Sequence, residues 1–211
     1  MANAITLARL LLLFVLIPMM YFAPPVWQLL DLPLLMAVVL FDWLDGYVAR
    51  RRGESTLFGA VFDIAVDRIV EGVLWVALAH LGLVPVWVPI YFITRGHLTD
   101  SIRQIGASEG TTPYDMMRSR WGRFLVAGFF MRAMSCSSKT ITFGWAVLIQ
   151  PLPAVAPELW AEWSGAMLAV LTGLVWYSVL INFLRGIPVL AEFLQREDPF
   201  AGLRSAPGSA E

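Results

Sequence analysis

The stretch Asp42-Trp43-Leu44-Asp45-Gly46-Tyr47-Val48-Ala49-Arg50, followed by Gly59, Asp63 and Asp67, puts four carboxylates within 26 residues of a strongly apolar chain. Spacings of three and four place Asp42 with Asp45, and Asp63 with Asp67, each pair on one face of a helix. A carboxylate in a membrane helix is costly, so it normally faces a polar cavity and serves a function there. Two such pairs facing each other make a divalent-metal site of hard oxygen ligands.

Outward from this stretch, the composition is that of a membrane protein. Of 211 residues, 58% are hydrophobic and 15% charged, with a mean hydropathy of +0.69. Soluble domains carry about 25% charge. Uncharged runs at 10–30, 72–94, 140–157 and 163–184 are long enough to span or nearly span a bilayer. The chain therefore reads as an all-α, polytopic protein of six transmembrane helices, at roughly 5–23, 30–50, 57–81, 85–104, 132–150 and 164–185. Pro24-Pro25, Pro85 and the Pro151/Pro153/Pro157 cluster break the helices at turns. The segments around 24–30, 82–89 and 151–163 contain no Lys or Arg, whereas the connection 50–56 carries three Arg, the connection 103–131 several more, and the tail Arg196 and Arg204. The positive-inside rule then puts both termini and the carboxylate motif on the cytoplasmic side.

The first apolar stretch is followed by a proline pair rather than a small-residue cleavage site, and is read as a retained span. Residues 1–195 are expected to form one membrane domain, and 196–211 a polar, disordered tail. The single Cys136 excludes an intramolecular disulfide and reads as a small apolar filler. A net charge of -1, with no basic run beyond Arg50-Arg51-Arg52, gives no case for a nucleic-acid partner.

On the second helix Asp42, Asp45, Gly46, Ala49 and Arg50 follow one helical stripe. Small residues on such a face commonly serve helix packing. Between carboxylates, Gly46 and Ala49 fit better as a flat ligand-contacting surface, and Arg50 as a pyrophosphate contact rather than a topology charge. On the third helix Gly59, Asp63 and Asp67 recur every four residues. Asp67 lies about 16 Å along that helix. Pairing with Arg68 or another Arg would account for one such Asp, not for four on two stripes. Four carboxylates suit one or two Mg²⁺ or Mn²⁺ ions with positions left for substrate phosphates. No P-loop or Ser-His-Asp order appears, and His80 and His97 are isolated and read as structural.

The full pattern, D-x-x-D-G-x-x-A-R, eight residues, then G-x-x-x-D-x-x-x-D, resembles that of the CDP-alcohol phosphatidyltransferases, with all eight motif positions filled. Weaker resemblance extends over most of the chain. The resemblance implies an enzyme of phospholipid biosynthesis that takes a phosphatidyl group from CDP-diacylglycerol, passes it to an alcohol and releases CMP. Carried over by position, Asp42, Asp45 and Asp63 would be metal ligands, and Asp67 both ligand and general base. Gly46, Ala49, Arg50 and Gly59 would contact the CDP portion. The opening Asn3-Ala4-Ile5-Thr6-Leu7-Ala8-Arg9, with Pro18 nine residues on, is similar to the N-x-x-T-x-x-R start of phosphatidylglycerophosphate synthases, though a capped helix with one interfacial Arg would read the same. The resemblance also implies a homodimer in a bacterial inner membrane, with the active site facing the cytoplasm.

The acceptor needs a second polar patch. Arg95 and Arg103, eight apart, with Gly110 seven further on, resemble the spacing in glycerophosphate-accepting members. Helix five is placed from Arg132, because Arg123 to Pro151 would be about 42 Å of helix against a core of about 30 Å. Lys139 then lies inside the membrane zone, and Lys139-Thr140 matches a K-T of the same members. Arg103, Lys139 and Arg185 are the expected acceptor-phosphate ligands, with Arg120 and Arg123 as the rival basic pair. Residues 111–131 would form an amphipathic cytoplasmic segment suited to an anionic membrane surface. Two departures point elsewhere: Arg68 stands where those members carry Lys, and the G-K before K-T is replaced by Cys136-Ser137-Ser138. Asp67-Arg68 looks more like inositol-phosphate-accepting members. The preferred acceptor is sn-glycerol 3-phosphate, with inositol phosphate or another alcohol as the alternative. A cation transporter or a non-catalytic membrane scaffold are the readings from other classes. The first predicts acids along both halves of the membrane, and Glu71 is the only deeper acid the reading picks out.

Overall fold

The structure, a computed structural model, describes residues 2–52, 57–108 and 123–196, and among these every regular element is helical. Six long helices fall on the six apolar segments: α1 (Ala2–Phe22), α3 (Asp31–Arg52), α4 (Leu57–His80), α5 (Trp87–Ser108), α6 (Phe129–Ile149) and α8 (Pro157–Arg196). Single turns α2 (Pro25–Gln28) and α7 (Leu152–Val155) join them, and a π-helical turn, Arg123–Ala127, precedes α6. The prolines act as the sequence suggests at chain reversals, where a missing N–H costs nothing. Pro25 opens α2 and Pro157 opens α8. Pro18 and Pro188, by contrast, lie inside α1 and α8. The last helix is longer than the expected 164–185, with 40 residues.

The turn after α4 requires glycine. Gly82 has φ +74°, and around it the Leu83 N–H donates to the Leu78 carbonyl at 3.0 Å. This wraps up the helix's last open carbonyls, a closure in which a side chain at the left-handed position would be strained.

Two helices, Asn3–Phe22 and Pro157–Glu192, are long and apolar enough to cross a membrane, with mean hydropathies of 2.2 and 1.9. The amphipathic segment expected at 111–131 lies outside the described residues except for 123–131, and the tail from 197 lies outside them too.

The chain divides into two compact units, residues 1–94 with 136–179, and residues 95–135 with 180–211. In the first, α1 packs on α3 and α4 through Leu13, Leu16, Leu35, Val38 and Val66, all at most 1% exposed. Trp75 fills the centre, stacked on Phe92 at 4.6 Å and edge-on to Phe143 at 4.6 Å. Offset and edge-to-face rings add to the packing beyond their area. Polar glue joins α6 and α8: Thr142 Oγ1, which donates within α6 to the Ser138 carbonyl at 2.7 Å, meets Ser178 Oγ of α8 at 3.0 Å. Hydroxyls of this kind hold helices together where lipid-like surroundings give little hydrophobic drive. His80 Nδ1 lies 3.0 Å from the Tyr21 hydroxyl.

The second unit has a small apolar cluster of Ile102, Val126 and Val189. Beside it, Ser135 Oγ donates to Asn182 Oδ1 at 2.8 Å, with both residues buried. Gly186 gives room to Arg95, since a Cβ there would be 3.4 Å from Arg95 Nε.

Candidate active site

The site is built at one end of the first unit, where α1, α3, α4 and α6 meet around a cavity of about 120 Å³. Helical periodicity brings the acids there. Leu35, Val38 and Asp42 lie on one stripe of α3 and all line the cavity. Asp67, Glu71 and Leu74 do the same on α4. Each stripe therefore runs from apolar core into carboxylate without leaving its face.

Asp42, Asp63 and Asp67 come together: one oxygen from each lies within 4.8 Å of the others. Their side chains are 37%, 44% and 38% exposed, so one side of the cluster is open. Asp45, the fourth expected ligand, is 4% exposed and turned to α1, where Thr6 Oγ1 donates to its Oδ2 at 3.1 Å.

The charge that gathers the acids comes from α1. Arg9 donates through Nη1 to Asp42 Oδ1 at 2.6 Å and through Nη2 to Asp67 Oδ1 at 2.5 Å. Nη1 is also 3.8 Å from Asp63 Oδ1. The guanidinium fork suits such a bridge, with two donors reaching two acceptors at once. The sequence reading treated Arg9 only as part of a weak N-terminal pattern. A signal was present, because α1 contains no acid, so an Arg within it had to find its partner on another helix.

Across the cavity stands a second charged group. Glu71 accepts from Arg68 Nη1 at 2.7 Å and from Lys139 Nζ at 2.9 Å. Arg68 thus has a partner on its own helix, Glu71. Lys139 and Thr140 line the cavity, as does Cys136, which is exposed. Asp31, at the opposite end of α3, is an acid the sequence reading passed over. It is 0% exposed, and neither carboxylate oxygen has a hydrogen-bond partner among the described residues.

Of the residues expected on the CDP portion, Gly46 lies in α3 one residue past Asp45, and Gly59 lies in the first turn of α4. Ala49 and Arg50 lie on the last turns of α3, and Arg103 on α5, but the side chains of these three are outside the described residues. Arg103 and Arg185 belong to the second unit, where Arg185 Nε donates to the Leu125 carbonyl at 3.2 Å. The rival pair divides: Arg120 lies outside the described residues, and Arg123 opens the π-helical turn.

The donor set fits a hard divalent cation. It offers carboxylate oxygens only, from two helices, with an open side. Asp63 Oδ1 in particular is buried and accepts no hydrogen bond among the described residues, leaving a charged oxygen free to take a ligand.

Comparison with known proteins agrees with the motif. The family model for CDP-alcohol phosphatidyltransferase matches residues 1–171. The chain is 31% identical over 121 residues to the Bacillus subtilis CDP-diacylglycerol–glycerol-3-phosphate 3-phosphatidyltransferase, covering 51% of this chain and 62% of that protein. It is 28% identical over 175 residues to the Escherichia coli K12 enzyme of the same name, covering 80% and 86%. A short stretch of 34 residues is 65% identical to the Mycobacterium marinum phosphatidylinositol phosphate synthase, covering 16% of this chain and 14% of that protein. The match extends through the carboxylate motif and well beyond it, and the chain belongs to the CDP-alcohol phosphatidyltransferase family.

Proposed function

We propose that the protein transfers a phosphatidyl group from CDP-diacylglycerol to the hydroxyl of a phosphorylated alcohol, releasing CMP, and that the acceptor is sn-glycerol 3-phosphate. The observation that carries this reading is the convergence of Asp42, Asp63 and Asp67 beside a cavity whose far wall presents Arg68 and Lys139. Acids for a metal-bound pyrophosphate and cations for a second phosphate are what a two-substrate transfer needs.

In this reading Asp42, Asp45, Asp63 and Asp67 hold one or two ions, Mg²⁺ or Mn²⁺. The bound metal supplies charge neutralisation on the pyrophosphate. Asp67 takes the proton of the acceptor hydroxyl as its oxygen bonds to the phosphorus that carries the diacylglycerol. The bond from that phosphorus to the bridging oxygen breaks, and CMP leaves with the electron pair. Gly46, Ala49 and Gly59 give the CDP portion a surface without bulk, and Arg50 meets its phosphates. Lys139 binds the acceptor phosphate, and Arg103 and Arg185 are assigned to it on the sequence pattern alone. Glu71 holds Lys139 at the cavity wall until that phosphate arrives.

The two apolar helices and the family membership support an integral membrane protein, and the basic connections support six spans with the site on the cytoplasmic side. A single membrane domain over 1–195, an amphipathic 111–131 segment and a homodimer in a bacterial inner membrane complete the proposal.

Inositol phosphate is the second reading for the acceptor. Its support is the 65% identity over 34 residues to the mycobacterial synthase, together with Asp67-Arg68. The E. coli relative is matched over far more of the chain, which keeps glycerol 3-phosphate first. The test is CMP release by purified protein with CDP-diacylglycerol, Mg²⁺ or Mn²⁺, and one alcohol per reaction. Release with glycerol 3-phosphate alone supports the full reading. Release only with inositol phosphate transfers the acceptor assignment. No release with any alcohol, from a folded protein, overturns the catalytic reading in favour of a transport or scaffold role.

A further inference from the structure

Arg9 has no role in the proposed reaction, yet its position is a demanding one. Its side chain is 6% exposed, it bridges carboxylates on two different helices, and it approaches a third acid at 3.8 Å. Its Nε is buried without a hydrogen-bond partner among the described residues. The residue therefore gives up one donor in order to aim the other two at the cluster. A helix anchor would need only one of these carboxylates.

We infer that Arg9 is the resident counter-cation of the metal cluster: it gathers Asp42 and Asp67 in the metal-free protein, and its charge weakens the cluster's hold on a divalent ion. The inference rests on the proposed metal-dependent reading of the same site. Three carboxylates with oxygens within 4.8 Å repel one another, even with water screening them on their open side. A guanidinium against two of them removes much of that repulsion before any ion arrives. The same charge opposes a dication on those oxygens. The cluster's open side, where the acids are about two-fifths exposed, remains available to the ion. An ion held weakly by the protein alone is held well once a substrate pyrophosphate adds its own negative oxygens. Metal and nucleotide lipid would then bind together rather than in sequence. Arg9 is in this sense a positioning residue, acting through the carboxylates and not on the transferred group.

The test is Mn²⁺ affinity of the purified full-length protein, read as free Mn²⁺ by electron paramagnetic resonance, without CDP-diacylglycerol. Arg9→Gln is expected to bind Mn²⁺ at least tenfold more tightly than the parent chain. Its metal-free melting midpoint should fall, and the rise in midpoint on adding Mn²⁺ should grow. Arg9→Lys keeps the charge and should hold the affinity within a few-fold of the parent. Equal or weaker Mn²⁺ binding by Arg9→Gln overturns the inference, because a merely structural Arg9 would loosen the ligand set and weaken the site. Mn²⁺ bound by neither protein sinks the metal reading and this inference with it, an outcome distinct from parent-like binding. If Arg9→Gln does not fold without metal, purification in Mn²⁺ decides: recovery of folded protein supports the inference, and failure to recover it overturns it.

Discussion

The two ends of the first unit are made by the same helices and differ in almost every physical respect. At one end α1, α3, α4 and α6 bring together Arg9, three clustered aspartates, Arg68, Glu71 and Lys139. Farther along the same helices lie Leu16, Trp75, Leu78, Ala146 and Val147, none more than 1% exposed. One end is charge balanced against charge, and the other is close packing. The comparison teaches that the core sets the positions of the acids. Four helices locked by Trp75 and its neighbours fix where α3 and α4 present their stripes, and charges placed by rigid elements can be preorganised for chemistry.

The sharpest way to break the comparison is at the charged end. Asp67→Asn keeps the shape of the side chain and removes its basicity. Loss of a general base costs about 10²–10⁴-fold, and here a metal ligand is weakened as well. CMP release should fall by at least about 10³-fold while the melting midpoint stays near that of the parent, since removing one of three clustered acids also relieves repulsion. Turnover near the parent rate would remove Asp67 from the chemistry. The corresponding break at the packed end is Trp75→Ala. Large-to-small changes at a filled core site cost about 3–5 kcal/mol. The cavity term survives in a lipid setting, because lost contacts with Phe92 and Phe143 are not replaced. Thermal unfolding in detergent should show the loss, and residual activity at low temperature should keep the parent's metal requirement. A variant stable to within about 1 kcal/mol would mean that the ring cluster collapses around the gap.

Lys139→Ala separates the two sides of the cavity. A charge-assisted contact to phosphate is worth about 1.5–3 kcal/mol. KM for glycerol 3-phosphate should rise tenfold or more, with KM for CDP-diacylglycerol little changed. An unchanged acceptor KM would sink the pocket assignment and leave Lys139 as Glu71's structural partner.

The carboxylate end was more legible in the sequence than the wall opposite it. Motif spacing fixes positions within one helix, so the shared stripes of Asp42 with Asp45 and of Asp63 with Asp67 followed from periodicity alone. The six long helices followed from apolar runs and proline breaks for the same local reason. What periodicity does not carry is rotation of one helix against another. Asp45 shares a helix face with Asp42, yet Asp45 turns to Thr6 while Asp42 joins Asp63 and Asp67. That division depends on where α1 packs, and α1 packs through Leu13 and Leu16, residues without any chemical signature. Arg9 went unread because its partners are 33 and 58 residues away. Glu71 was read as a lone deeper acid, whereas it joins a cation of its own helix to one on α6. The length of the last helix was missed because Arg185, Gly186 and Pro188 look like its close and the prolines up to Pro157 look like a loop before it, yet the helix runs through both from Pro157 to Arg196.

Asp31 tests whether the packed end tolerates charge at all. It is the first residue of α3, fully buried, with both oxygens unpartnered among the described residues. Two effects oppose each other. A carboxylate at a helix N-terminus gains about 0.3–1 kcal/mol from the aligned peptide dipoles. A buried polar group left without hydrogen bonds costs about 1–3 kcal/mol, and more when charged. The cost is the larger, so Asp31→Asn, which keeps the shape and removes the charge, should stabilise the protein by about 1 kcal/mol. For a chain of this size that is a rise of about 2–4 °C in the melting midpoint. Turnover should not change, because Asp31 is eleven residues from Asp42, about 16 Å along the same helix. A fall in the midpoint would show that the helix terminus gains more from the charge than burial takes away. The contrast between the ends would then be one of charge matched by a guanidinium against charge matched by a helix dipole, rather than one of charge against packing.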